Sequence, residues 1–343
     1  MTISCAKLLE RAIAARAGLF AAKHNTPPHA AFRLWNGFSE GCPSLAIDIY
    51  GATAVIHNYA DTPEHGQALV AEAQSILLIQ LPWLRTIIQK ARNGRTDEAK
   101  RGTCIYGDTP DTWVNEHGVR YAIDLTMNRD ASLYLDTREL RSWILQNLGG
   151  KTVLNTFAYT GSLGVAAKAA GATRVVQLDL NRQFLNVAKT SYTLNGFAIQ
   201  KADFLAGDFW PLTNRLKRED ARFDCVLLDP PFFAATARGV VDLASNSAKL
   251  INKVRPLIND SGVLVAINNA LFVSGGDYIK SLEALCADGY LAIETLIPVP
   301  EDFTGYVQTR LGQPVTDPAP FNHATKIAIL RVRRKQNTVN AVA

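Results

Sequence analysis

From about residue 137 the chain alternates short apolar runs with amphipathic stretches, and no other feature limits its fold as strongly. Thr152–Phe157, Arg174–Leu178, Phe204–Ala206, Cys225–Leu228 and Val263–Ile267 read as buried strands. Helical stretches fall between them, near 162–170, 182–194, 209–218, 242–258 and 277–287. Strands and helices in alternation build a parallel sheet covered on both faces. Two last strands, Leu291–Ile297 and Lys326–Val332, follow with no helix evident between them, which fits an antiparallel pair at one edge.

The first 130 residues follow a different pattern. Leu8, Leu9, Ala12, Ile13 and Leu19 recur at helical spacing and predict an amphipathic helix packed on the body of the protein. A hairpin is expected over 44–60, a helix over 65–80, a strand over 86–90 and a second hairpin at 113–123, with Asn115 to Gly118 as its turn. Between them lies a basic stretch with Lys90, Arg92, Arg95, Lys100 and Arg101. It reads as a solvated loop, with phosphate contact as the functional alternative. Two domains are therefore expected: a small α+β domain over 1–130, suited to substrate or RNA recognition, and an α/β domain over 131–343.

Composition sets the class. The 343 residues are 48% hydrophobic and 20% charged, which is enough apolar material for a sizeable core. A net charge of +5 is compatible with a polyanionic partner without requiring one. The five cysteines (Cys5, Cys42, Cys104, Cys225, Cys286) show no metal-like pairing. That pattern points to reduced thiols and a cytoplasmic protein. No apolar run approaches the roughly 20 residues of a membrane span. Lys7, Glu10, Arg11 and Arg16 interrupt any secretory signal.

The strand ends carry the chemistry. Cys225–Leu228 runs into Asp229-Pro230-Pro231-Phe232, where two prolines stop the strand. An acid, exposed carbonyls and a ring thus sit at the carboxyl end of a strand, where open α/β sheets bind ligands. The carboxylate and the Pro230 carbonyl suit an amino group, and Phe232 suits a planar base. The first strand enters Asn155-Thr156-Phe157-Ala158-Tyr159-Thr160-Gly161-Ser162-Leu163-Gly164, where Gly161 permits a tight turn and Gly164 close packing. Neither a three-glycine dinucleotide fingerprint nor a P-loop is present. The second strand ends at Asp179, followed by Leu180, about 20 residues past the turn. An acid there suits ribose hydroxyls, or caps the next helix. Asp208 and Phe209 end the third strand; the acid suits an adenine amino group or a cap, and the ring would cover the base. Three acids on one edge repel phosphate, so a nucleoside without phosphate fits. S-adenosylmethionine, with ribose, adenine and a positive sulfonium, is such a ligand. No metal is called for.

Taken together these residues resemble the class I S-adenosylmethionine-dependent methyltransferases. More narrowly, they are similar to the bacterial 23S rRNA methyltransferases that make 5-methylcytosine and 7-methylguanosine. The likeness runs from Arg33-Leu34-Trp35-Asn36-Gly37-Phe38-Ser39-Glu40-Gly41 and Ile47-Asp48-Ile49-Tyr50-Gly51 through Tyr134-Leu135-Asp136-Thr137-Arg138 to the strand ends. It implies a Rossmann-like sheet of order 3-2-1-4-5-7-6 with strand 7 antiparallel. It also implies that Arg138 approaches the methionine carboxylate.

Two departures bear on the acceptor. The 5-methylcytosine enzymes carry a cysteine after the fifth strand, where this chain reads Ala266-Ile267-Asn268-Asn269-Ala270. The paired asparagines look more like the 7-methylguanosine branch, in which a nitrogen lone pair needs positioning and no covalent activation. Asn269 would orient the acceptor, or else is a simple turn residue. The 5-methylcytosine members also usually carry an N-terminal PUA-type domain, for which there is no room before Arg33. The expected activity is methyl transfer to a base nitrogen of ribosomal RNA, with Asp229, Pro230, Phe232 and Asn269 around the acceptor. The alternatives are a small-molecule or protein acceptor, or a non-catalytic binding module. The oligomeric state is left open, a homodimer included.

Overall fold

The computed structural model describes residues 4–20 and 29–334. They form two compact units. The first comprises residues up to Glu139 together with Asn186–Ile199 and Val299–Pro314, and the second comprises Leu140–Leu185, Gln200–Pro298 and the residues from Val315 on.

The first unit holds a five-stranded sheet in the order β1 (Ala31–Asn36), β2 (Leu45–Tyr50), β3 (Thr53–Asn58), β4 (Thr86–Ala91) and β5 (Thr103–Tyr106). All its neighbours are antiparallel except β3 and β4, which the helix Pro63–Gln80 connects in parallel. A separate hairpin pairs β6 (Trp113–Glu116) with β7 (Val119–Ala122). Alternation sorts the sheet's side chains. Phe32, Leu34, Ile47, Ile49, Ala54, Ile56 and Ile87 share an apolar core with Leu8, Leu9, Ala12 and Ile13 of the helix Cys5–Ala15 and with Val70 and Leu77.

Polar residues of this unit are buried as well, and in chains of partners. Arg33 bonds Asp48 through two nitrogens, at 2.8 and 3.0 Å, and His57 Nε2 lies 3.1 Å from the same carboxylate. Burial raises the pKa of Asp48, but the Arg33 charge and these hydrogen bonds outweigh it and pull the value down. Arg16 meets Glu40 in the same forked manner, both bonds 3.0 Å long, and also donates to the Asp302 carbonyl at 2.7 Å.

Several expectations are corrected here. Lys90 is not on a solvated loop. It is wholly buried in β4 and donates to the carbonyls of Asn128, at 2.8 Å, and Asp130, at 3.3 Å. Burial pushes its pKa down to about 8. Arg92 pairs with Asp130 at 2.9 Å, and Asp97–Arg101 forms a short helix capped by Thr96. Partners nearly 40 residues downstream convert much of an apparent basic loop into scaffold. Cys5 and Cys42 form a disulfide, so these two thiols are not reduced in this structure; 37 residues separate them in sequence. The strands β1 and β5 and the helix Glu301–Thr304 had no clear sequence signal.

The second unit's sheet comprises β8 (Thr152–Thr156), β9 (Arg174–Asp179), β10 (Phe204–Ala206) and β11 (Phe223–Leu228), then β14 (Ile258–Asn268), β15 (Leu291–Ile297) and β16 (Lys326–Val332). A hairpin of β12 (Phe233–Thr236) and β13 (Gly239–Asp242) interrupts the chain after β11. Its outgoing strand ends at Asp242, where a helix was expected to begin, and a loop follows before the helix starts at Ser247. The order across the sheet is β10-β9-β8-β11-β14-β16-β15, which in chain order reads 3-2-1-4-5-7-6. The five strands from β10 to β14 are parallel, and β16 runs antiparallel to both of its neighbours. Period two divides the sheet between two cores. Val153, Cys225, Leu227, Val263 and Val265 face one, and Leu154, Val226, Leu228, Leu264 and Ala266 face the other. No described helix is long and apolar enough to cross a membrane.

Removing one partner of a buried ion pair strands the other in a dry site. Arg16 and Glu40 are 0% and 1% exposed. Glu40→Ala should therefore cost the first unit about 3–5 kcal/mol in urea-induced unfolding. An unchanged midpoint would show that the pair is dispensable.

Candidate functional site

The carboxyl ends of β8, β9, β10 and β11 lie side by side at one edge of the second unit's sheet. After β8 the main chain bends sharply, and Phe157, Tyr159 and Gly161 adopt φ of 54°, 51° and 76°. That left-handed region costs a non-glycine residue roughly 1–2 kcal/mol, so something must hold the turn. A carboxylate does. Asp179, the last residue of β9, accepts from the N–H of Tyr159 at 2.7 Å and of Asn181 at 2.8 Å. Burial pushes its pKa up, and the two bonds offset this only in part.

Asn155 and Gln177 brace the turn from below. Buried Asn155 donates Nδ2 to Gln177 Oε1 at 2.8 Å, and Gln177 donates Nε2 to the Gly161 carbonyl at 3.3 Å. Gly164 makes room for this bridge, since a Cβ there would lie 2.2 Å from Gln177 Nε2. Thr160 is buried in the same turn, and Leu180 stands 64% exposed just past Asp179.

The aromatic residues divide by burial. Phe157 stacks on Phe209 with centroids 4.6 Å apart, and Tyr159 meets Phe184 edge-on at 4.6 Å. Phe209 was expected to cover a ligand's ring, but it is only 5% exposed and belongs to the core with Leu154 and Leu228. Half-buried Phe157 is the ring left at the surface of that stack. Asp208 acts as a cap, accepting from Trp210 N–H at 2.8 Å at the start of the helix Phe209–Arg218.

At the end of β11, Asp229 is half-buried, Pro230 buried and Phe232 47% exposed. The Phe232 carbonyl accepts from Leu243 N–H at 3.0 Å, which closes the β12–β13 excursion. After β14 the two asparagines part. Asn269 is exposed, whereas Asn268 is buried, donates to the Leu243 carbonyl at 3.2 Å and accepts from Ala270 N–H at 2.9 Å. Beside Asn268 across the ladder sits Lys326, wholly buried. Its ammonium donates to the Ala270 carbonyl at 2.9 Å and to that of Ala324. Asn268 and Lys326 together hold the turn that carries Asn269. Sequence reasoning singled out Asn268 only as one of a pair and gave it no role of its own, and it passed over Lys326, although a lysine opening the apolar run Ile327–Leu330 was a signal.

The edge thus gathers Phe157 to Gly161, Asp179, Asp208, Asp229 to Phe232 and Asn269, with Asn155 beneath. Arg138 lies in the first unit. There its two terminal nitrogens both donate to the Asp302 carboxylate, so Asp302 occupies the fork that the resemblance assigned to a ligand. Cys225 pairs with Val153 and Val263 near the start of β11, and burial pushes its thiol pKa up. Among the described residues no cluster of His, Cys, Asp and Glu is arranged to hold a metal ion.

Residues 83–307 match a family model described as S-adenosylmethionine-dependent methyltransferase. The chain belongs to that family. Among curated proteins it is 31% identical over 272 residues to ribosomal RNA large subunit methyltransferase I of Vibrio cholerae, covering 77% of this chain and 64% of the relative. It is 24% identical over 294 residues to the protein of the same name from Photobacterium profundum, covering 85% and 71%. The chain spans about two thirds of the length of the curated relatives it matches. Among solved structures it resembles SMU.776 complexed with SAH, with a TM-score of 0.81 at 22% identity, covering 97% of this chain and 83% of that one. At that identity the likeness is one of fold.

Lys326 gives this methyltransferase a measurable pH signature. Burial holds its pKa at about 8, against 10.5 when exposed. Between those values the unfolded chain binds the extra proton, so stability rises with pH through that window. Lys326→Met should flatten the rise by up to about 3 kcal/mol, read as the difference between variant and parent in urea unfolding from pH 7.5 to 10.5. Parallel curves would mean that the ammonium is not desolvated.

Proposed function

We propose that this methyltransferase binds S-adenosylmethionine at the edge formed by residues 155–161, Asp179, Asp208 and Asp229, and transfers its methyl group to a base nitrogen of ribosomal RNA. The observation that carries the reading is the Asp179 carboxylate, held by two main-chain bonds at the mouth of a strained turn. Each of its oxygens retains a lone pair for a ribose hydroxyl. The upward pull on its pKa is what a carboxylate meant to accept from such hydroxyls would show before they arrive. Phe157, backed by Phe209, offers a flat apolar surface for the adenine. The residues present therefore fit the cofactor, which supplies a methyl group on a positively charged sulfur.

The acceptor is argued from Asp229 and its neighbours. The carboxylate and the Pro230 carbonyl accept from a base's amino group, and the half-exposed Phe232 ring stacks on its face. A nitrogen acceptor gains positive charge as the methyl arrives, and a fixed carboxylate stabilises that charge. Carbon methylation of a pyrimidine would instead need a thiolate adduct. Cys225 is buried away from the edge, and the turn after β14 offers Asn268 and Asn269 in place of a cysteine. The ribosomal substrate is favoured by the names of the relatives, which are ribosomal RNA large subunit methyltransferases.

Three measurements test the reading. Asp179→Ala should weaken S-adenosylmethionine binding by about 10- to 100-fold in calorimetry, with Asp179→Asn intermediate. Unchanged affinity in a folded variant would remove the ribose assignment. Asp229→Ala should lower turnover by at least about 10²-fold. With labelled S-adenosylmethionine and unmodified large-subunit RNA, mass spectrometry should find the label on a base nitrogen, and Cys104, Cys225 and Cys286 should each be replaceable. A covalent adduct with 5-fluorocytosine RNA, abolished by one of those replacements, would establish carbon chemistry instead.

A further inference from the structure

The second unit gathers positive charge around Trp210, next to the hairpin that follows the proposed acceptor residues, and leaves it unneutralised. The ammonium groups of Lys249 and Lys253 lie 5.3 and 5.6 Å from the centre of the Trp210 ring, one indole serving two cations. Lys253 also donates to the amide of Asn214. Lys217, on the same helix as Trp210, is close enough to Lys253 for their charges to repel; partial burial and that repulsion both lower its pKa. Among the described residues no carboxylate forms an ion pair with Lys217, Lys249 or Lys253. The acids nearby are engaged elsewhere: Glu219 pairs with Arg215, and Asp220 with Arg222. Solvated lysines usually spread apart, whereas these are held together by a ring and an amide.

The hairpin next to them completes the surface. Ala234 and Val241 on its inner side join the core, and Gly239 packs so closely on Trp210 that a Cβ would come within 2.4 Å of the indole nitrogen. Its outer side exposes Phe233 at 61%, and Arg238 stands exposed at the turn. The hairpin starts directly after Asp229-Pro230-Pro231-Phe232, and Asn268 ties its far end to the Asn269 turn. Phe233 therefore follows directly on the residues proposed to hold the acceptor base, and the lysines cluster around Trp210 against the turn end of the same hairpin.

We infer that this surface is a track for single-stranded RNA flanking the target base, with Lys217, Lys249, Lys253 and Arg238 meeting phosphates and Phe233 stacking on a neighbouring base. An exposed ring serves unstacked bases, which a duplex does not offer. Clustered cations without carboxylate partners suit a polyanion better than a protein surface. This inference rests on the RNA-methyltransferase reading above.

The test is binding of the full chain to a 20-nucleotide oligoadenylate, to a duplex of the same length and to unmodified large-subunit RNA, measured across salt concentrations. The combined change Lys217→Gln, Lys249→Gln, Lys253→Gln should reduce the slope of log affinity against log salt on single strands by about 2, since each phosphate contact contributes roughly 0.7. Phe233→Ala should weaken single-strand binding about tenfold. It should raise KM for RNA without changing kcat, and S-adenosylmethionine affinity should stay at the parent value. The single change Lys249→Gln, at an exposed position, should lower the slope by about 0.7 even if the triple variant fails to fold. Parent-like slopes and affinities in variants of a parent that does bind and methylate RNA would overturn the track alone. A parent that methylates no RNA and binds no single strand would overturn both this inference and the reading beneath it.

Discussion

Two hydrogen bonds to one carboxylate organise the candidate site. Asp179 takes the N–H of Tyr159 and of Asn181, and so joins the loop after β8 to the loop after β9. That tie helps to hold Phe157 and Tyr159 in a left-handed conformation, together with the Ala158 N–H bond to the Leu178 carbonyl. The Asn155–Gln177 bridge underneath needs the same turn, because Gln177 donates to the Gly161 carbonyl. Strain, burial and hydrogen bonding converge on about seven residues. The same carboxylate that fixes the main chain is the one proposed to receive the ligand's hydroxyls.

The loop proposed to meet the acceptor is built on another buried polar device. A lysine and an asparagine, paired across the antiparallel β14–β16 ladder, hold the carbonyls and N–H groups of the loops that leave it. Antiparallel pairing is what makes this possible. It brings the start of β16 to the end of β14, so a residue near the carboxyl terminus of the described chain supports a loop more than 50 positions earlier. The antiparallel strand β16, set between β14 and β15, therefore supports the loop that follows β14 as well as continuing the sheet.

The first unit uses buried charge differently. Arg16–Glu40 and Arg33–Asp48–His57 are closed sets in which each charge has forked or multiple partners. Such sets add little net stability compared with apolar packing, but they penalise any arrangement that separates them. The motif Arg33 to Gly41, and Asp48 beyond it, belongs to this group: Arg33 is turned toward Asp48, and Glu40 toward Arg16. Their part in the resemblance is thus explained by architecture before any contact with a substrate is invoked.

Much of the second unit was legible in the chain itself. Apolar runs of strand length separated by helical periods can only be buried on both faces, so the parallel sheet followed from local pattern. The acids Asp179, Asp208 and Asp229 were placed at strand ends by counting alone. What the sequence left open was which way each group turns. Asp208 caps a helix, Phe209 enters the core, and of two adjacent asparagines only Asn269 faces outward. Lys90 and Lys326 look like surface residues in sequence, yet both are buried because carbonyls from distant segments accept hydrogen bonds from their ammonium groups. Period and composition are properties of neighbours along the chain, and they determined the elements. Burial and partnership depend on segments far apart in the chain meeting in space, and only the tertiary structure decided those.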